Sequence, residues 1–213
     1  MLRSGIGLTD ATRSLTRNVG IEHTILPMSD DPVRTVVHTV DGDLAFQHYF
    51  VRDRCEPVVS GFSFSGAADA RLSPELRARL NDPDLCGVII CPSNPFVSID
   101  PLFAVPELGA WLRSTPIPVV AVSPIVGGEA IKGPTAKMMA ELAVPATADA
   151  VARHYLDEID GFILDDCDAE LNSVIAGLEI ETTVANTVMV TLSDRVELAE
   201  TAIDLVRRIN RGK

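Results

Sequence analysis

Two short stretches carry side chains suited to holding an anion. The first, PSNPFVSID, follows the apolar run Gly87-Val88-Ile89-Ile90-Cys91 and sets Ser93 and Asn94 between Pro92 and Pro95. Both side chains donate hydrogen bonds, and backbone amides at the start of a following helix attract negative charge. The flanking prolines fix φ and lower the entropy lost on ordering the loop. The second stretch, SPIVGGEAIKGPTAK, follows IPVVAV and supplies Ser123, Gly127, Gly128 and Lys132. Its glycine pair permits close backbone approach, Lys132 brings positive charge, and Gly133-Pro134 opens a helix. Together the two stretches could cradle a phosphate. Neither GxxxxGKS/T nor GxGxxG is present, and the plain alternative is a pair of ordinary turns with Lys132 solvated.

Carboxylates cluster twice, at Asp30-Asp31 and at Asp165-Asp166 with Asp168. Magnesium prefers carboxylates together with substrate phosphates, so either cluster could hold that ion; the alternative is solvated turns. His48, within FQHYF, has no nucleophile or carboxylate at a telling spacing and reads as a half-buried strand histidine.

These residues need elements to position them. A helix is expected over Thr9 to Val19, with Thr9 or Asp10 as N-cap and Gly20 as stop. Four β-prone runs follow, IEHTILPM, RTVVHTV, LAFQHYFV and PVVSGFSF, and predict a small antiparallel region within residues 1–70. From 71 to 213 helices and strands alternate: SPELRARL, CGVIIC, VPELGAWLRS, IPVVAVS, GPTAKMMAEL, ADAVARHYL, DGFIL, and a terminal helix DRVELAETAIDLVRRI opened by Ser193 or Asp194. Such alternation argues for βαβ units and a parallel sheet, with CGVIIC buried on both faces. The expected fold class is α/β, a Rossmann-like parallel sheet with helices on both faces plus the small antiparallel region near the N-terminus. Ligands of such sheets bind outside the carboxyl ends of the strands, where both stretches lie.

Composition narrows the partners. Eighteen Lys and Arg against thirty Asp and Glu give a net charge of −12, which disfavours broad attraction to nucleic acid or anionic membrane. No apolar run approaches the ~20 residues that span a bilayer, and MLRSGIGLTD has no secretory apolar region. Four cysteines without a CxxC pair suit a reducing cytoplasm.

With PSNPFVSIDP, VAVSPIVGG and KGPTAKMM in this order, and with ILPMSDDPVRT, FQHYFVRDR and VARHYLDEIDGFILDD in support, the whole chain resembles the 2-phospho-L-lactate transferase family, the CofD-like enzymes. The resemblance implies transfer of a phosphorylated three-carbon acid (2-phospholactyl, phosphoenolpyruvyl or phosphoglyceryl) from a guanosine-diphosphate-linked donor to 7,8-didemethyl-8-hydroxy-5-deazariboflavin. GMP is released and magnesium used, in coenzyme F420 biosynthesis. It also implies that Ser93 and Asn94 lie near the donor phosphates, with Gly127, Gly128 and Lys132 facing the same crevice. The family pattern opens with a strand, a GGxGGA-like turn and a TGDD-like acidic motif, which these 213 residues lack. The chain is therefore expected to be a fragment or to be completed by another polypeptide, and apolar surface left by the missing part leads to an expectation of self-association, for example as a homodimer, or of instability. The rival expectations are a transferase with a different nucleotide donor or acceptor, and a non-catalytic module that keeps a phosphate pocket.

Overall fold

A computed structural model describes residues 5–212; residues 1–4, part of the opening read above for a leader, lie outside them. Among the described residues, the N-terminal part holds α1 (Leu8–Asn18), an antiparallel sheet of β1 (Arg34–Thr39), β2 (Gly42–Ala45) and β3 (Val59–Ser65) in order β2-β1-β3, and α2 (Pro74–Leu80). The remainder holds β4 (Val88–Ile90), α3 (Asp100–Phe103), α4 (Pro106–Ser114), β5 (Val119–Val122), a hairpin of β6 (Ile125–Val126) and β7 (Glu129–Ala130), α5 (Thr135–Glu141), α6 (Ala148–His154), β8 (Gly161–Leu164), α7 (Asn172–Ala176), β9 (Glu181–Val184) and α8 (Leu192–Gly212). Strands β4, β5, β8 and β9 form one parallel sheet in that order.

Helices cover both faces of this sheet, as the alternation predicts. On one face, Val120, Val122 and Ile163 meet Leu198, Ala202, Leu205, Val206 and Ile209, a stripe at helical spacing on α8. Glycines let α8 approach: a methyl at Gly161 would lie 2.8 Å from Ile209 Cδ1, and one at Gly87 would collide with Val206. On the other face, Val119, Ala121, Phe162 and Leu164 pack with Leu108, Leu112, Met138 and Val151 from α4, α5 and α6. Burying one such large side chain is worth about 1.5–3 kcal/mol, so the two layers fix where the strand ends sit.

Several details differ from the sequence reading. Residues 21–28 form no strand, and FQHYFV continues from β2 into a wide helical turn, His48–Arg52. That turn buries Tyr49 completely and stacks Phe46 on Phe50 with ring centroids 5.4 Å apart, a spacing of four residues that a helix brings together. His48 is consequently exposed on a helical turn rather than half-buried on a strand. β4 is an edge strand, and its Ile89 stays 39% exposed because the α8 stripe covers the neighbouring strands. Helix starts also differ. Thr9 lies inside α1, whose first turn is held by the distant Asp30. α8 opens on Thr191, whose Oγ1 accepts the Asp194 amide at 3.2 Å while the Asp194 carboxylate accepts the Thr191 amide at 2.6 Å, a reciprocal cap.

Candidate functional site

β4 and β5 are neighbours, in register from Val88–Val119 to Ile90–Ala121, so the loops that leave their carboxyl ends meet. They enclose a cleft of about 170 Å³ lined by Ser93, Asn94 and Ser123, by Val126, Ile131 and Lys132, and by Thr135 at the start of α5. Thr187, Val188 and Met189, which follow β9, close the remaining side. Lys132 is the one charged side chain that lines it among the described residues, and no hydrogen bond or ion pair within them engages its ammonium.

The predicted donors divide into free and committed groups. Asn94 Oδ1 accepts the Phe96 and Val97 amides at 3.0 and 3.2 Å, capping the helical turn Pro95–Ile99, and Nδ2 faces Met138 Sδ at 3.2 Å. Those two amides are therefore satisfied by the loop itself. Ser123 is 1% exposed; its hydroxyl donates to the Ile125 carbonyl at 2.8 Å and accepts the Ile125 amide, so it shapes the turn into β6. Ser93 keeps its hydroxyl free beside Lys132 and Thr135. Gly127 and Gly128 do not line the cleft: with φ of +59° and +81° they form the tip of the β6–β7 hairpin, where two left-handed residues match strand twist.

Neither acidic cluster presents a carboxylate to the cleft lining. Asp30 accepts the Thr9 amide at 2.6 Å and its hydroxyl at 3.1 Å, and Asp31 accepts the Arg71 amide at 3.0 Å. Asp165 Oδ2 accepts the Thr187 amide and hydroxyl at 2.8 and 2.9 Å, and its Oδ1 the Cys167 amide at 3.0 Å. Asp168 Oδ2 accepts the Gly127 amide at 3.0 Å. Burial pushes the Asp165 carboxyl up, but the hydrogen bonds from Thr187 and Cys167 outweigh it and hold the group below the usual carboxylate range. No group of three or more His, Cys, Asp or Glu suited to a metal occurs among the described residues.

Sequence reasoning missed Thr135, Thr187, Val188 and Met189. The β-branched run in ETTVANTVM, which follows a helix in a βαβ alternation, was the available signal for β9 and the wall beyond it. A larger cleft of about 400 Å³ lies between α1 and α2, away from the strand ends. Its Arg13 is paired with Glu75 across the cleft and with Asp10, and Arg79 is paired with Asp82.

A parallel sheet covered on both faces, with a cation-bearing cleft at the carboxyl ends of adjacent strands, defines a Rossmann-like α/β protein. The crystal structure of protein BH3568 from Bacillus halodurans, of the UPF0052 family, shares the fold: TM-score 0.64 at 11% identity, over 92% of this chain and 67% of that one. The family model for 2-phospho-L-lactate transferase CofD matches residues 1–204, and the chain belongs to that family. The 2-phospho-L-lactate transferases of Methanosarcina mazei and Methanosarcina barkeri are 34% and 36% identical to it, over 95% and 96% of this chain. The phosphoenolpyruvate transferase of Kitasatospora aureofaciens is 33% identical over 100% of this chain and 67% of that protein. The chain spans 66% and 65% of the two Methanosarcina relatives.

Proposed function

We propose that these residues form the donor-phosphate part of a transferase acting in the cytoplasm in coenzyme F420 biosynthesis. It moves a phosphorylated three-carbon acid from a guanosine-diphosphate-linked donor to the terminal hydroxyl of 7,8-didemethyl-8-hydroxy-5-deazariboflavin. The observation that carries this reading is the cleft itself: two strand-end loops meet around Lys132 and free hydroxyls, with no carboxylate among the lining residues of a chain whose net charge is −12. The names of the relatives support the phospholactyl and phosphoenolpyruvyl groups as the acids carried.

In the proposed step the acceptor hydroxyl oxygen attacks the phosphorus that bears the acid. The bond from that phosphorus to GMP breaks, GMP leaves with the electron pair, and the hydroxyl proton passes to solvent. Little covalent work falls to the protein, and positioning with charge neutralisation supplies most of the acceleration. Lys132 neutralises the diphosphate, Ser93 and Thr135 donate to its oxygens, and Val126, Ile131 and Met189 limit water on the apolar side. Magnesium enters this proposal as an ion carried by the donor phosphates, and no step is routed through it.

The test mixes the protein with the deazaflavin, magnesium and each guanosine-diphosphate-linked acid, and reads GMP and the phosphodiester by mass spectrometry. Product with one donor is expected, and that donor names the acid. Thermal stabilisation by GDP above that by ADP or UDP is expected alongside. Folded protein that neither binds GDP nor yields product would overturn the reading.

A further inference from the structure

Two walls of the cleft lie beyond the ends of their strands, where the sheet no longer holds them. The β8–β9 ladder runs to Leu164–Val184, and the Ala185 amide donates to the Leu164 carbonyl at 3.1 Å as its last backbone tie. Thr187, Val188 and Met189 follow, with no further ladder bond. The β6–β7 hairpin has only two paired positions and a glycine tip, yet it carries Val126 and leads directly into Ile131 and Lys132.

We propose that Asp165 and Asp168 are positioning residues, each fixing one of these walls through hydrogen bonds to main-chain amides. This rests on the reading of the cleft as a donor-phosphate site. Both carboxylates sit on the turn that leaves β8 and are 3% and 7% exposed. Where the ladder stops, Asp165 Oδ2 takes over as acceptor for both the amide and hydroxyl of Thr187, and its Oδ1 ties Cys167, so three donors converge on one side chain. Asp168 Oδ2 reaches across to the Gly127 amide. Its own amide donates to the Asp165 carbonyl at 2.9 Å, which couples the two anchors. Unbonded, a buried carboxylate is costly; three donors keep Asp165 ionised, and hydrogen bonds to a charged acceptor are the stronger kind.

The geometry separates anchoring from metal binding by a substitution pattern. Asp168 needs one acceptor oxygen, which an amide retains, so Asp168→Asn should behave as wild type while Asp168→Ala loses the tie. Asp165 uses both oxygens, and the amide nitrogen of Asp165→Asn would face a donor, so that change should fail like Asp165→Ala. Thr187→Val removes the hydroxyl alone and should fall between wild type and Asp165→Asn, which keeps the comparison available where an Asp165 variant does not fold.

The experiment measures hydrogen exchange of the Thr187 and Gly127 amides, and GDP affinity by calorimetry, on the 213-residue chain. Exchange at Thr187 should rise at least tenfold in Asp165→Asn, and at Gly127 likewise in Asp168→Ala, with GDP bound about tenfold more weakly in both. Asp168→Asn should restore both values. Unchanged exchange at the two amides would overturn the inference, as would an Asp168→Asn loss equal to that of Asp168→Ala, which would assign the charge itself to ion binding. Failure of wild-type protein to bind GDP would count against the proposed function alone, since the exchange pattern reads the anchors without ligand.

Discussion

Lys132→Ala gives the sharpest test of the cleft. A unit-charge contact at about 4 Å is worth about 1 kcal/mol in water and about 4 kcal/mol at an effective dielectric of 20. Lys132 is exposed at the cleft rim, so the lower part of that range applies. A loss of about 1–2 kcal/mol corresponds to GDP binding roughly 5- to 30-fold weaker. Salt supplies a second reading, because an exposed contact is screened over about 10 Å at 0.1 M. Wild-type affinity should therefore fall more steeply with salt than that of the variant, and Lys132→Arg should keep most of both. The ammonium bonds to no described residue, so melting temperature should stay near wild type and the affinity change is not an unfolding artefact. Calorimetry across a salt series decides it. Equal dissociation constants and equal salt slopes for wild type and Lys132→Ala would remove Lys132 from the site.

Three further outcomes follow from the packing. Gly161→Ala places a methyl 2.8 Å from Ile209 Cδ1 and 3.2 Å from Leu205 Cδ2, so the Ile209 side chain or α8 must give, and urea unfolding should show a loss of about 1–3 kcal/mol; stability equal to wild type would mean that the Ile209 side chain repacks without strain. Tyr155→Phe should be neutral or stabilising in the same assay, because the Tyr155 hydroxyl is buried without a partner among the described residues; a clear loss would reveal one. His154 Nε2 lies 2.7 Å from Asp100 Oδ1, and this hydrogen bond raises the imidazole above its usual value of 6.5. The pair's stabilisation is therefore full below about 6.5 and lost as pH rises through the raised folded value. Melting temperature should drop over that window in wild type and stay flatter in His154→Gln; parallel curves would refute the assignment.

How much of this was legible in the sequence depends on the range of the interaction. The parallel sheet and its covering helices follow from local periodicity: VVAV and GFIL are fully buried strands, and the α8 stripe repeats at helical spacing. The meeting of the loops after β4 and β5 requires those strands to be neighbours, a non-local pairing that periodicity does not fix. The helical turn at His48–Arg52 was not legible, since FQHYFV has β propensity and only burial of Tyr49 and the Phe46–Phe50 stack select the helical form. The roles of the acidic clusters were hidden for a different reason. Asp30 answers an amide 21 residues away, Asp168 one 41 residues away, and Asp165 one 22 residues away, and no local pattern encodes such pairings.

Those pairings bear on how an acidic chain could hold an anion at all. Asp165 and Asp168 stand at the end of β8, beside the strand whose loop carries Lys132, and their charge opposes any phosphate in the cleft. Turning both carboxylates toward amides leaves the lining free of carboxylate oxygens, so the repulsion acts at a distance and not by contact. Lys132 must then act against a net −12 background, and long-range attraction cannot supply the affinity. What remains is directional: the Ser93 and Thr135 hydroxyls and the Lys132 ammonium, in a cleft with one loop stiffened by proline and two walls anchored by carboxylates. Under the proposed function, binding in such a cleft depends on the order of its walls as well as on the charge of Lys132. The same carboxylates that oppose the ligand electrostatically are, by this argument, the ones that make its site.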